Sequence, residues 1–450
     1  MLFGGAGIYG WSDAVVQISA LPLLAWALFK LAPSQLGPGG QWAISLLCAM
    51  LAWPLLQLIP LPPSLWSGLP GRGEIAIAFE AADIALPWLP ISLSPRATWF
   101  ALLSLVPATA VFLAMLSLKR RSRRIIILLI FFVVFASAVL DMLQVMGGQD
   151  SPLRFYEITS PDRAVGFFAN GNHNAAFLYS AIPFATAWAV GLVGDHRRNR
   201  AVALALLALL TLTIIVGVSL TRSRAGVALF LVAFLSGPLL AWRHGRGQSG
   251  RRLLRVAIGA NLVALLLAFQ LGFVGLMQRV ESSESFDDIR WPAARATAQA
   301  AIANLPFGSG FGTFVPIYEK FVPRTQLKDR LVNHAHNDWL ELWLTGGLPA
   351  IILAAGFLAW LAASTFRAWS DDQPGASVLD LALAQAASIV IVLLLLHSVV
   401  DYPLRMPALS VLFAIACANL IPRRKSENGV EMSPNIDSFA PSEHHAIHQR

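Results

Sequence analysis

The sequence predicts an all-α protein that crosses a membrane many times, and three observations predict it. Hydrophobic residues make up 56% of the 450-residue chain and charged residues only 13%, more apolar surface than a water-facing globule can bury. Apolar runs of about 18 residues or more, enough to cross a bilayer core as a helix, recur along the whole length. Lys and Arg gather in short clusters between these runs, the bias of cytoplasmic loops, so the net charge of +8 points to membrane lipids and to no nucleic acid. Cys48 and Cys417 both fall inside apolar runs, which supports neither a disulfide framework nor a cysteine metal site.

Spans are expected near residues 14–31, 41–60, 97–117, 125–147, 174–194, 201–220, 226–242, 256–277, 348–366, 377–397 and 406–421. In lipid each span has to satisfy its own backbone hydrogen bonds, and the gaps lack the alternating pattern of a barrel, so the runs form a transmembrane helical bundle of about eleven to twelve spans. The clusters KRRSRR (119–124), DHRRNR (195–200), RHGRGQSGRRLLR (243–255) and RRK (423–425) put those loops in the cytoplasm. Alternation then leaves 61–96, 148–173, TRSRAG (221–226), the long loop 278–338 and HSVVDYPLR (397–405) outside. The chain divides into N-terminal transmembrane helices with short loops (1–277), a large helical outer loop (278–338), C-terminal transmembrane helices (339–424) and a polar, aperiodic tail (425–450) expected to be disordered in the cytoplasm.

Basic residues inside are explained by topology; polar clusters outside are not. Arg222 and Arg224 occupy a short turn between almost wholly apolar helices. A cation so close to hydrocarbon costs about 2.5 kcal/mol or more at depth, so it either snorkels to lipid phosphates or holds an anion, and a guanidinium fork matches a diphosphate. The loop segment SFDDIRWPAARATAQAAIANLPFGSGFGTF (285–314) reads as an alanine-rich helix ended by Pro306 and Gly308. GSGFG follows a helix instead of a strand and has no lysine–serine pair, so it is read as a tight turn that brings Arg290 or Arg295 back over the membrane, not as a nucleotide loop.

VNHAHNDWLELWLTGGLPA (332–350) places His334, His336, Asn337 and Asp338 ahead of an apolar run broken at Gly346, Gly347 and Pro349, which suggests a short interfacial helix before the true crossing begins near Leu348. On that helix His336 and Leu340, and Asn337 and Glu341, are expected to stack at i, i+4. His334, His336 and Asp338 lack a further ligand at metal spacing. A histidine here either caps the helix or takes a proton from a hydroxyl. In HSVVDYPLR, Asp401 either neutralises Arg405 or holds an active-site arginine. In GFFANGNHNAAF (166–177), Asn170, Asn172, His173 and Asn174 enter a span, as helix caps or as sugar or diphosphate contacts.

These motifs, in this order, resemble the O-antigen ligase and polymerase family of polytopic membrane enzymes. His336, Asn337 and Gly347 match the family's signature of histidine, asparagine and a glycine ten residues on, with Ala350 a departure where glycine, threonine or tyrosine is expected. RSRAG, the arginine before the PxGxGxG loop (Arg290, Pro306, Gly308, Gly310), GNHN and HSxxDYPL accompany it. The resemblance implies a GT-C-like fold and a metal-independent, inverting glycosyltransferase of the bacterial inner membrane, with its active site on the periplasmic face. It implies an undecaprenyl-diphosphate-linked glycan as donor and lipid A core or a growing glycan as acceptor. Neither a cofactor nor a metal is required. Carried over, Arg224 and Arg290, with Arg222 beside them, grip the diphosphate, and His336 is the base. Asn172, His173, Asn337, Asp401 and Arg295 complete the expected substrate contacts. A transporter for lipid-linked glycan would instead place ionisable residues at mid-membrane.

Overall fold

The computed structural model describes residues 11–32, 36–156, 159–193, 200–244, scattered positions between 251 and 266, and residues 290–322, 332–370 and 376–422. The span expected at 256–277, most of the basic loops 195–200 and 243–255, the loop stretch 278–289 and the tail 425–450 lie wholly or largely outside the described residues.

Among the described residues, nine helices are long and apolar enough to cross a membrane, and the shorter apolar helix Pro407–Leu420 joins them. Together they cover ten of the eleven expected spans. In chain order the helices are α1 (Trp11–Lys30), α2 (Pro38–Gln57), the short α3 (Pro63–Trp66) and α4 (Gly73–Ala81), then α5 (Pro95–Ser104) and α6 (Val106–Ser117), which form one span. They continue as α7 (Arg120–Met146), α8 (Gly171–Val193), α9 (Arg200–Leu220), and α10 (Arg224–Phe234) with α11 (Ser236–His244), again one span. The outer loop holds α12 (Arg290–Ala303) and α13 (Phe314–Phe321). It is followed by α14 (Asp338–Trp369), α15 (Val378–His397) and α16 (Pro407–Leu420). The protein is an all-α polytopic bundle; its one antiparallel pair among the described residues joins Pro60 to Pro90 and Leu61 to Leu89.

Helix α8 is the axis of the bundle, packed against α7, α9, α10, α11 and α15. Its Ala175, Ala176, Ser180, Ala181, Ala185 and Ala187 are buried, and small side chains let helices approach closely where lipid removes the hydrophobic drive between them. Outward-facing Phe29, Phe132 and Leu206 are exposed, as side chains bathed by lipid tails should be. At one end of the bundle the basic residues meet. Buried Arg123, in the first turn of α7, donates to the carbonyls of Met115 and Ala418, tying the C-terminal ends of α6 and α16 together. Arg124 pairs with Asp380 at the start of α15, 2.8 Å away. The polar turns 163–166, 221–224 and 397–405 lie at the other end of the same helices.

The break in α14 falls at Gly347, whose φ of 62° no ordinary side chain adopts readily. The glycine loop fills that break. Ser309 and Gly310 donate backbone N–H groups to the carbonyls of Leu344 and Thr345 at 2.9 and 3.0 Å, and Leu348 N–H donates to Pro306 at 2.8 Å. A Cβ on Gly308 would sit 2.6 Å from the Gly347 nitrogen, and one on Gly347 would sit 2.3 Å from the Pro306 oxygen. Both positions therefore need glycine. Buried Gln57 at the end of α2 locks the joint, donating to Phe307 and Thr345 and accepting from Phe311 N–H. The glycines thus serve to brace α14, which differs from the expected tight turn carrying an arginine back to the membrane.

Alanines explain how the outer loop lies on this joint. Ala293, Ala296, Ala300 and Ala301 on one side of α12 form a small core with Phe314, Ile317, Tyr318, Ala335 and Leu344. That core holds the segment leading to His336 against the top of α14.

Candidate functional site

Asn337 sets the start of α14 by accepting from Trp339 and Leu340 N–H at 3.0 Å each, an N-cap that satisfies donors no helical carbonyl can reach. His336 therefore precedes the helix, at φ 49°, and does not stack on Leu340 as the sequence pattern suggested. This left-handed turn costs a non-glycine residue about 1–3 kcal/mol and aims the ring away from the helix. Its Nδ1 lies 3.1 Å from Asp401 Oδ1.

Asp401 is fully buried in the turn after α15. Its Oδ2 accepts from Asn172 Nδ2 at 2.7 Å, its Oδ1 also accepts from Tyr402 N–H at 3.0 Å, and His173 Nε2 stands 3.9 Å from Oδ1. Burial pushes the Asp401 carboxyl up, but the His336 hydrogen bond and the nearby His173 and His397 imidazoles outweigh it, and the group is held well below the usual carboxylate range. Arg405, one of the two partners the sequence allowed for Asp401, turns elsewhere: its Nε pairs with Asp338 at 3.1 Å and its Nη1 with Glu341 at 3.2 Å. The reason is local. The 3-10 turn Pro403–Arg405 carries Arg405 past Asp401 toward the first turn of α14, where Ser398 and Leu404 N–H also bond Asp338.

The polar entrance to α8 divides by helical phase. Asn172 and His173 face Asp401, whereas Asn174, about 200° around the helix from Asn172, points into the bundle. There its Nδ2 lies 2.8 Å from both oxygens of buried Asp141, and its Oδ1 accepts from Ser137 at 2.9 Å. Asn170 Oδ1 accepts from Asn172 N–H. The expected group of amides at the mouth is thus two amides facing outward and one facing in.

The TRSRAG turn adjoins this entrance. Ala164 N–H donates to Leu220 O, and a Cβ on Gly171 would lie 3.0 Å from Thr221 O. Ser223 caps α10 by accepting from Gly226 N–H, with Thr221 and Ser223 buried and Arg222 and Arg224 exposed. Arg222 adopts φ 51°. Asp162 feels it: burial raises that carboxyl, but Arg163 beside it and Arg222 bring it below its ordinary range. Arg290 opens α12, and its side chain lies outside the described part of the structure. Arg295 is exposed, away from the alanines that pack.

Pairings that the sequence did not disclose complete the cluster. His334, His336 and Asp338, considered together as a chelate, go to three different partners. His334 Nδ1 lies 3.1 Å from Glu341 Oε1, His336 meets Asp401, and Asp338 meets Arg405. Tyr402 stands among the imidazoles, its ring centroid 4.4 Å from His334, 4.9 Å from His173 and 5.0 Å from His336. Burial and then the Asp401 charge push its hydroxyl well above the usual tyrosine range, so it stays protonated. Behind it, Tyr179 hydroxyl and His397 Nδ1 are 2.8 Å apart. The HAHNDWLE stretch holds His334, His336, Asp338 and Glu341 of this cluster; what it lacks is any sign of which acid serves which histidine.

No curated protein matches the chain. The sequence model described as O-antigen ligase matches residues 206–355, one third of the chain, a stretch that includes Arg222, Arg224, Arg290, His336, Asn337 and Gly347 but neither Asn172 nor Asp401. The chain thus carries an O-antigen ligase family region, set among helices long and apolar enough to cross a membrane many times.

Proposed function

We propose that the protein moves a glycan from undecaprenyl diphosphate to an acceptor hydroxyl on the periplasmic side of the inner membrane, joining O-antigen to lipid A core. The observation that carries this reading is the His336–Asp401 pair, 3.1 Å apart, at the same end of the bundle as the arginine turn. An ionised carboxylate only accepts, so His336 donates its Nδ1–H to Asp401 and keeps Nε2 as the basic atom. Nε2 takes the proton of the acceptor hydroxyl as its oxygen attacks the anomeric carbon. Attack opposite the departing diphosphate inverts that carbon. Arg224 and Arg290, with Arg222, meet the charge developing on the diphosphate, a task that permanently charged guanidinium groups perform without a bound metal. Asp401 stabilises the imidazolium that results. Asn172 holds the far oxygen of Asp401; Asn337 positions His336 by capping α14, a role distinct from substrate contact.

Reconstitution of the purified protein with lipid-linked glycan and lipid A core tests this directly. His336→Ala should lower transfer by about 10²–10⁴-fold while membrane insertion persists. Arg224→Lys should impair it less, since lysine keeps the charge and loses the fork. Full activity of His336→Ala overturns the assignment. Deleting the gene separates ligase from polymerase: a ligase leaves lipid-linked polymer without transfer to lipid A core, whereas loss of a polymerase leaves lipid-linked single repeats.

A further inference from the structure

Two histidine–carboxylate pairs stand beside Tyr402, and the proposed reaction uses only one. His334 and His336 are built alike. Each presents Nδ1 to a buried carboxylate at 3.1 Å, and their side chains are 16% and 22% exposed, so each reaches the edge of the cluster. Their carboxylates differ. Among the described residues, Asp401 is bonded by Asn172, a backbone amide and His336, with His173 close by. Glu341 Oε1 is shared between His334 and Arg405, and its Oε2 accepts from Ala335 N–H at 3.0 Å. A carboxylate already matched to a guanidinium has less charge to lend an imidazolium. His336 thus shares its carboxylate with amides, and His334 shares its carboxylate with a guanidinium.

A neutral imidazole that donates through Nδ1 offers one lone pair at Nε2. What that lone pair meets is set by the surrounding charge: Asp338, Glu341 and Arg405 place two carboxyl groups around one guanidinium. Such a corner repels a diphosphate and suits an uncharged O–H donor. Glycan hydroxyls are donors of that kind. We infer that His334 is a binding residue for the acceptor, its Nε2 taking a hydrogen bond from a hydroxyl next to the one that reacts. The inference rests on the transferase reading of the site and gives it an element that recognises the acceptor.

The test uses the full-length protein in detergent with lipid-linked glycan donor and lipid A core oligosaccharides, intact or each lacking one terminal hydroxyl. If the wild type extends free glycan instead, the same series is made on that glycan. His334→Asn keeps a donor for Glu341 and deletes Nε2. It should raise the acceptor KM about tenfold, leaving donor KM, kcat at saturating acceptor and the pH dependence of kcat as in wild type. The penalty that wild type shows for losing one particular hydroxyl should vanish in this variant. His334→Gln, which returns an amide near the Nε2 position, should recover part of the acceptor KM. His336→Asn is the contrast, lowering kcat with acceptor KM unchanged. The groups whose charge bears on the pH profile are His173, Asp338, Glu341, His397, Asp401, Tyr402 and Arg405. A His334→Asn variant that loses kcat at unchanged acceptor KM, or that loses neither, overturns the inference. Full activity in His336→Asn with the expected His334 result would sink the base assignment and leave the inference standing.

Discussion

Asp141 and Asp401 are both fully buried, yet they are set up for opposite ends. Asp141 lies inside the bundle between α7 and α8, where a single amide, Asn174 Nδ2, reaches both of its oxygens at 2.8 Å. Asp401 lies in a turn and shares its oxygens between an amide and an imidazole that reaches the surface. The first arrangement closes on itself and fixes the packing of two helices. The second gives its charge to an imidazole at the edge of the cluster, the group that the proposed reaction uses as its base. Burial and residue type are equal in the two places; the partner decides what the carboxylate is for.

Substitutions can break that contrast. The largest effect is expected at Asp401→Asn, whose amide can offer an N–H to His336 and force the proton onto Nε2. With the base blocked, kcat should fall by about 10²–10⁴-fold, read as single-turnover transfer, beside a stability loss of about 1–3 kcal/mol because the new amide also faces Tyr402 N–H. Asn172→Ala should follow, lowering kcat by about tenfold, because the carboxylate loses one donor but keeps His336. Asp141→Asn should leave kcat per inserted molecule nearly as in wild type and appear instead as a stability loss of ~1–3 kcal/mol in detergent unfolding, since Asn174 would lose one of its two acceptors and face an amide N–H in its place. A large kcat effect at Asp141 with normal stability would erase the distinction between the two carboxylates.

The spans were legible because lipid imposes a simple rule: helices long enough to cross must be apolar, and ten of the runs reappear as helices with shifts of a few residues. The break before Leu348 was legible for the same kind of reason, since Gly346, Gly347 and Pro349 interrupt a helix whatever surrounds it. Pairing across the fold was not. Asp401 and Arg405 are four residues apart and look like partners, but one meets His336 and the other Asp338 and Glu341, more than sixty residues away. Asn172 and Asn174 look equivalent until the helix turns one of them inward. His334 was weighed only as a metal ligand, because nothing in the sequence ties it to its acid, Glu341, which sits among apolar residues of the helix that follows. The role of GSGFG was hidden too, because nothing local records that the loop completes the backbone of α14.

That joint also bears on how a lipid-borne substrate gets in. With Ser309 and Gly310 stitched to Leu344 and Thr345, and with no room for a Cβ between Gly308 and Gly347, the outer segment near residue 308 cannot swing outward like a hinged cover without unravelling α14. On the proposed reading the lipid-linked donor reaches the imidazoles without this segment lifting, and the wall that Gly308 and Gly347 form stays still while it does.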